Sequence, residues 1–284
     1  MSIWYIKQED TGLWKKLFNI ITLKEIQNKT VATLPYGNLD KLANKLCGKL
    51  YDKENQNLVL SKDLMGKESF VNYLNANNIN ILNGRWLFSY LTEEILAYIA
   101  EKSEKELQTM EISVMVNDNS EKNLKIIINI ASKVKMLNII TNHIEAFRKI
   151  EEYLYDKQGI LVRITNNTKK SLLKTNVILN LDFPEELVNK YSLPKKTIVV
   201  NIGEAVNIRS KRFAGINANF YEVEFPEENE LVDSFETEIL YESILYKKAS
   251  YESIREQIRV NKSKIKNLVG INGIICEKEY KDLW

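Results

Sequence analysis

EISVMVNDNSEKNLKIIINIASKVKMLNIITNHIEAFRKIEEYLYDKQGILVRIT, residues 111–165, decides the fold. Runs rich in Ile and Val at 111–116, 136–141 and 160–165 are separated by stretches, 120–135 and 143–157, whose apolar residues recur at helical spacing. The alternation continues downstream. NVILNL (176–181) and TIVVNI (197–202) read as two further strands, and 169–174 as a short helical piece. Residues 184–191 read as a helix with Pro184 at its first position, where a missing N–H costs nothing. Near-continuous Ile, Val and Leu strands suit a parallel sheet covered on both faces. Right-handed crossovers then make a doubly wound sheet the economical topology, with an expected strand order of 3-2-1-4-5.

Outward from this core, the amino-terminal part also alternates. Strands are expected at 2–7, 30–34, 56–60 and 78–82, and helices at 13–26, 38–51 and 67–75. Residues 85–108 carry the longest uninterrupted helical pattern, with Trp86, Leu87, Tyr90, Leu91, Ile95 and Tyr98 on one stripe. Beyond Gly203 the pattern loosens. Residues 204–226 read as irregular or extended, with strand-like alternation at 220–225, and EENE (227–230) as an acidic turn. Helices follow at 231–246 and 251–261. YESI occurs in both, too short a match to define a repeat. The expected class is α/β. A small α/β domain (1–84) leads through a linker helix (85–108) to a doubly wound parallel sheet (109–203), and an extended segment with C-terminal helices (204–284) follows.

Composition bounds the function. The chain has 284 residues, 44% hydrophobic and 27% charged, as an ordinary folded protein does. Forty basic residues against 38 acidic ones leave a net charge of +2, too little for a strong global field toward nucleic acid or an anionic membrane. The two cysteines, Cys47 and Cys276, form no CxxC, and His143 is the one histidine, so no disulfide scaffold or metal site is expected. No secretory leader is visible, and no apolar run approaches the roughly 18 residues of a membrane span. A cytoplasmic location is expected. Arg209, Lys211 and Arg212 beside Phe213 form the densest basic patch, thin for nucleic-acid binding.

In an open parallel sheet, ligands bind outside the carboxyl ends of the strands, near the reversal of strand order. That rule selects Asn117, Asn119 and Ser120 after the first core strand, and Asn142 and His143 after the second. It also selects Asn166 after the third, Asp182 after the fourth and Gly203 after the fifth. Asn180 and Asn201 lie just inside their strands. Together these outline a polar crevice between strands one and four, lined by Asn117, Asn119 and Asp182. Turns are rich in Asn and Asp on conformational grounds as well. In the first domain, Lys62 and Asp63 follow a strand and form an acid–base candidate pair. A solvated turn with Asp63 capping the next helix is the preferred reading of them.

The segment 111–203 resembles the Rossmann-type domain of NAD(P)-dependent oxidoreductases. The whole chain resembles the two-domain plan of shikimate dehydrogenases, glutamyl-tRNA reductases and methylenetetrahydrofolate dehydrogenases. The likeness lies in the order and length of elements. It implies a dinucleotide, NADP being the candidate because His143 stands where an acidic ribose partner is usual. The glycine loop departs from the pattern, however. Residues 117–123 (NDNSEKN) hold no glycine, and Asp118 and Glu121 bring negative charge to where a pyrophosphate lies. The expected function is therefore a small-ligand-binding or regulatory module with a non-classical nucleotide site. The alternatives are an NAD(P)-dependent oxidoreductase and an interaction module that dimerises through the Leu, Phe and Tyr residues of 231–250.

Overall fold

In the computed structural model, which describes residues 2–50, 56–224, 231–246, 248 and 250–283, the chain divides into two units. Met1–Leu87 with Phe225–Ser250 form the first, and Phe88–Glu224 with Tyr251–Trp284 the second. The stretch 204–284 is thus shared between them.

The first unit is built on β1 (Ser2–Glu9), β2 (Thr22–Ile26), β3 (Lys29–Pro35), β4 (Gln56–Leu60) and β5 (Asn80–Ile81), in the order β2-β3-β1-β4-β5. Only the β2–β3 pairing is antiparallel. Alternation along β1 feeds both faces. Trp4 and Ile6 pack with Leu42 and Leu46 of helix Leu39–Leu50 and with Phe70 and Leu74 of helix Glu68–Ala76. Ile3 and Tyr5 pack on the other side with Leu231, Phe235, Ile239 and Leu240. The apolar residues expected to form a dimer face at 231–250 are therefore spent in this core. Helix formation there is confined to Thr237–Leu245. Phe225 and residues 227–230 lie outside the described residues. On that helix Glu242 is buried, and its carboxyl accepts the N–H groups of Leu87 and Gly84 at the start of helix Arg85–Tyr90. Burial outweighs those hydrogen bonds and lifts its pKa to about 8.

The helix expected over 13–26 stops early. Leu13–Phe18 is helical, Asn19 then turns left-handed (φ 47°), and the Ile20 N–H closes on the Lys15 carbonyl. The remainder is β2, joined to β3 by Gln27 and Asn28, both at positive φ (48° and 58°), the signature of a type I′ hairpin. No glycine marks this turn, so the apolar spacing of the flanking segments reads as one helix. Leu13, Trp14, Leu17 and Phe18 of the short helix are exposed.

The second unit carries β6 (Glu111–Met115), β7 (Met136–Ile140), β8 (Val162–Thr165), β9 (Val177–Asn180), β10 (Ile198–Asn201) and β11 (Ile216–Ala218). All are parallel, in the order β11-β10-β9-β6-β7-β8. This is the expected arrangement with a sixth strand added from the stretch read as irregular. Helices Glu121–Ala131 and Ile144–Gln158 make the crossovers among β6, β7 and β8. A small antiparallel sheet of β12 (Phe220–Val223), β13 (Ile265–Gly270) and β14 (Gly273–Ile274) follows.

Two expected helices differ. The pattern at 85–108 is not continuous. It forms helices Arg85–Tyr90 and Thr92–Lys102 and a 3-10 turn at Leu107–Thr109. The Tyr90 carbonyl is taken by the buried Arg255 guanidinium (2.5 Å), which also reaches Glu94 (2.6 Å) and Glu93 (2.9 Å). A carbonyl claimed by a charged donor is a poor acceptor for the next helical turn. At 169–174 no helix forms. Asn167 Oδ1 instead accepts the N–H groups of Lys169 and Lys170 (3.0 Å each) and holds the segment as turns.

Candidate ligand crevice at the carboxyl edge of the second sheet

The loop after β6 turns the N–H groups of Asn117 and Asp118 toward the end of β9. Both are met by Asp182. Its carboxylate accepts the Asn117 N–H (2.8 Å to Oδ1, 3.0 Å to Oδ2) and the Asp118 N–H (2.6 Å). Successive N–H groups converging at this position form an anion-binding concavity, which in a dinucleotide fold faces the pyrophosphate. Here the anion is supplied by the chain itself. Asp182 can sit there because Gly203 clears the way. A Cβ at Gly203 would lie 2.5 Å from the Leu181 carbonyl oxygen.

The same loop is braced from within. Asp118 Oδ1 accepts the Ser120 N–H (3.1 Å), and the Asn123 amide donates to the Asp118 carbonyl (3.0 Å) and to Asp118 Oδ2 (3.2 Å). Asn117 Oδ1 accepts the Asn142 N–H (2.9 Å) and the Thr141 hydroxyl (3.3 Å), tying β6 to β7. Thr141 Oγ1 in turn accepts the His143 N–H (3.1 Å). The Ser120 hydroxyl is buried without a hydrogen-bond partner among the described residues, at the start of helix Glu121–Ala131.

Electrostatics follows from this crowding. Burial pushes the Asp182 carboxyl upward and nearby Asp118 adds to the push, while the two backbone N–H groups and Lys122 pull it down. The net direction is up. Burial lowers the Lys122 ammonium, and Asp118 and Asp182 oppose that change. The strand edge here is acidic, with the half-buried Lys122 beside the two carboxylates.

The structure therefore brings Asn117, Ser120, Asn142 and Asp182 together and sets Gly203 against the Leu181–Asp182 backbone. Asn119, Asn142, His143 and Asn166 have exposed side chains at the strand ends. Asn180 and Asn201 face inward. Asn180 Nδ2 donates to Asn201 Oδ1 (3.1 Å), and Asn201 Nδ2 donates to Asn217 Oδ1 (2.8 Å) and Asn219 Oδ1 (3.0 Å). Asn219 Oδ1 also accepts the Val206 N–H (2.9 Å). Lys62 and Asp63 belong to the first unit. Both are exposed, in helix Lys62–Met65, and the Lys62 ammonium reaches the Val232 carbonyl (3.4 Å). Arg209 is engaged by Glu185. Sequence reasoning passed over Lys122, Asn123 and Thr141, whose roles depend on contacts no spacing announces. Among the described residues no group of three or more His, Cys, Asp or Glu side chains is placed to hold a metal ion. No described helix is long and apolar enough to cross a membrane.

No protein-family model matches the chain, and no curated protein matches it in sequence. Among solved structures it is similar to ornithine transcarbamoylase from Giardia lamblia (8% identity, TM-score 0.29, covering 76% of each chain). It is similar also to ornithine carbamoyltransferase from Pyrococcus furiosus (8%, TM-score 0.30, 76% of this chain and 75% of that one). A third likeness is to L-tryptophan dehydrogenase from Nostoc punctiforme (11%, TM-score 0.31, 74% and 65%). At such scores these likenesses carry no argument about activity.

Proposed function

We propose that the second unit is a Rossmann-like ligand-binding module whose carboxyl-edge crevice takes a small polar ligand, neutral or cationic, and excludes dinucleotides. One observation carries this reading: the Asp182 carboxylate occupies the N–H groups of Asn117 and Asp118 that a pyrophosphate would need. A phosphate brought beside Asp118 and Asp182 meets like charges at contact distance, a repulsion of about 1 kcal/mol in water and several near a protein surface. The groups left to a ligand are acceptors and amides: Asp118, Asn119, Asn142 and Asn166, with the His143 ring at the rim.

A thermal-shift and calorimetry panel of NAD, NADP, FAD and S-adenosylmethionine tests this. Saturation at one hundred times the dissociation constant adds about 2.7 kcal/mol of stability. None of the three dinucleotides is expected to raise the melting temperature. S-adenosylmethionine, cationic and without phosphate, is the member the crevice admits. Asp182→Ala frees the two N–H groups and is expected to gain affinity for inorganic pyrophosphate. NADP binding by the unaltered chain overturns the proposal and restores the oxidoreductase reading.

A further inference from the structure

A second site lies away from that crevice, on the amino-terminal half of the same sheet. Ser113 pairs in register with Asn138, and Asn138 with Arg163, so the three form one row across β6, β7 and β8. Alternation puts Ser113 and Asn138 on the face that carries Met115 and Ile140, which pack with Leu172, Ile178 and Val199. That face of a parallel sheet is ordinarily apolar, because a crossover element covers it. Here the β8-to-β9 connection is a set of turns. Only its Leu172 reaches the core, and a cavity of ≈ 380 Å³ remains over the polar row. The volume lies within the range of small-molecule sites.

The floor of the cavity has unmet hydrogen bonds. Asn138 and Ser171 are each 4% exposed, yet Asn138 Oδ1 and Ser171 Oγ have no hydrogen-bond partner among the described residues. The other end of the Asn138 amide is held by Ser113 Oγ (3.4 Å), which shares a hydrogen bond with Thr175 Oγ1 (2.6 Å). Two buried acceptors without donors are costly to keep in a fold unless something else satisfies them. The rim has the opposite character. Arg163, Lys170 and Lys174 are exposed cations around the opening, against one carboxylate, Glu111, which faces Lys135 at 3.8 Å.

We propose that this cavity binds a small hydroxy- or amino-carboxylate. Its carboxylate meets Arg163 and the two lysines, and its hydroxyl or amino group donates to Asn138 Oδ1 and Ser171 Oγ. Guanidinium and ammonium groups supply the attraction. Asn138 Oδ1 supplies selectivity, since an anion with no proton to donate leaves it unpaired.

Calorimetry of the full chain with L-malate, L-glutamate, L-serine and citrate, and with sulfate as the bare anion, tests the proposal. At least one carboxylate is expected to bind with a dissociation constant below about 100 μM, and sulfate at least about tenfold more weakly. Asn138→Leu and Arg163→Met each weaken that binding about tenfold or more, whereas Arg148→Met, which removes the same charge from an exposed helix elsewhere, leaves it unchanged. Asn138→Leu also raises the melting temperature, because an apolar residue suits that face. Should Asn138→Leu fold poorly, the exposed Lys174→Ala reads the same site without touching the core. The proposal is overturned by silence from all four carboxylates, by sulfate binding as tightly as they do, or by Asn138→Leu melting lower with binding intact.

Discussion

Glu242→Gln isolates one buried proton. The Glu242 carboxyl titrates near pH 8 in the folded chain and near its ordinary 4.5 when unfolded. Between those values the folded state holds a proton that the unfolded state has released, so stability falls as pH rises through this window. Below about pH 4.5 the group contributes no penalty, and above about pH 8 the penalty is complete. Each pKa unit is worth about 1.4 kcal/mol, which makes the full effect on the order of 5 kcal/mol. Glutamine keeps an acceptor for the Gly84 and Leu87 N–H groups and does not titrate. Urea unfolding of both proteins from pH 4.5 to 8.5, read by fluorescence of Trp4, Trp14 and Trp86 in the first unit, measures the difference directly. The variant is expected to gain stability relative to the parent as pH rises, by roughly 2 M or more in urea midpoint at m-values of about 1–3 kcal/mol/M. Parallel pH profiles would mean that Glu242 is solvated or paired, and the account of its burial would fail.

Other outcomes follow from equally local geometry. Gly203→Ala forces a methyl to within 2.5 Å of the Leu181 carbonyl and is expected to cost about 1–3 kcal/mol in thermal denaturation. Arg255→Met leaves Glu93 and Glu94 without their shared cation, a loss of about 3–5 kcal/mol, and adding Glu93→Gln and Glu94→Gln recovers much of it in a urea titration. Replacing Gln27-Asn28 with Asn-Gly suits the positive φ at both positions and is expected to add about 0.5–1 kcal/mol to the first unit, measured by its urea midpoint.

The parallel sheet was legible because its strands are rich in Ile, Val and Leu and its helical crossovers are amphipathic, so period and burial agree along most of 111–203. Strand β11 was not, because Ile216-Asn217-Ala218 is short and polar at its centre. The Gln27-Asn28 hairpin was hidden for a related reason, since its turn uses residues that tolerate positive φ without the glycine that usually announces it. Asp182 was visible as a strand-end carboxylate. Its occupation of the β6 loop N–H groups was not, because that contact joins positions 64 and 65 residues apart. The cavity over Asn138 was equally silent: an asparagine in an Ile-rich run looks like an interruption until register places it beside Ser113 and Arg163.

The linked asparagines of β9, β10 and β11 act as a registration key. Slipping β10 by one residue would rotate Asn201 to the opposite face and strand its amide among aliphatic side chains, parting it from Asn180, Asn217 and Asn219. Ile, Val and Leu alone would forgive such a slip, since one aliphatic residue fills another's place. Amides do not, and each misplaced one forfeits about 1–3 kcal/mol. The correct alignment of this half of the sheet is thus enforced by its least hydrophobic members.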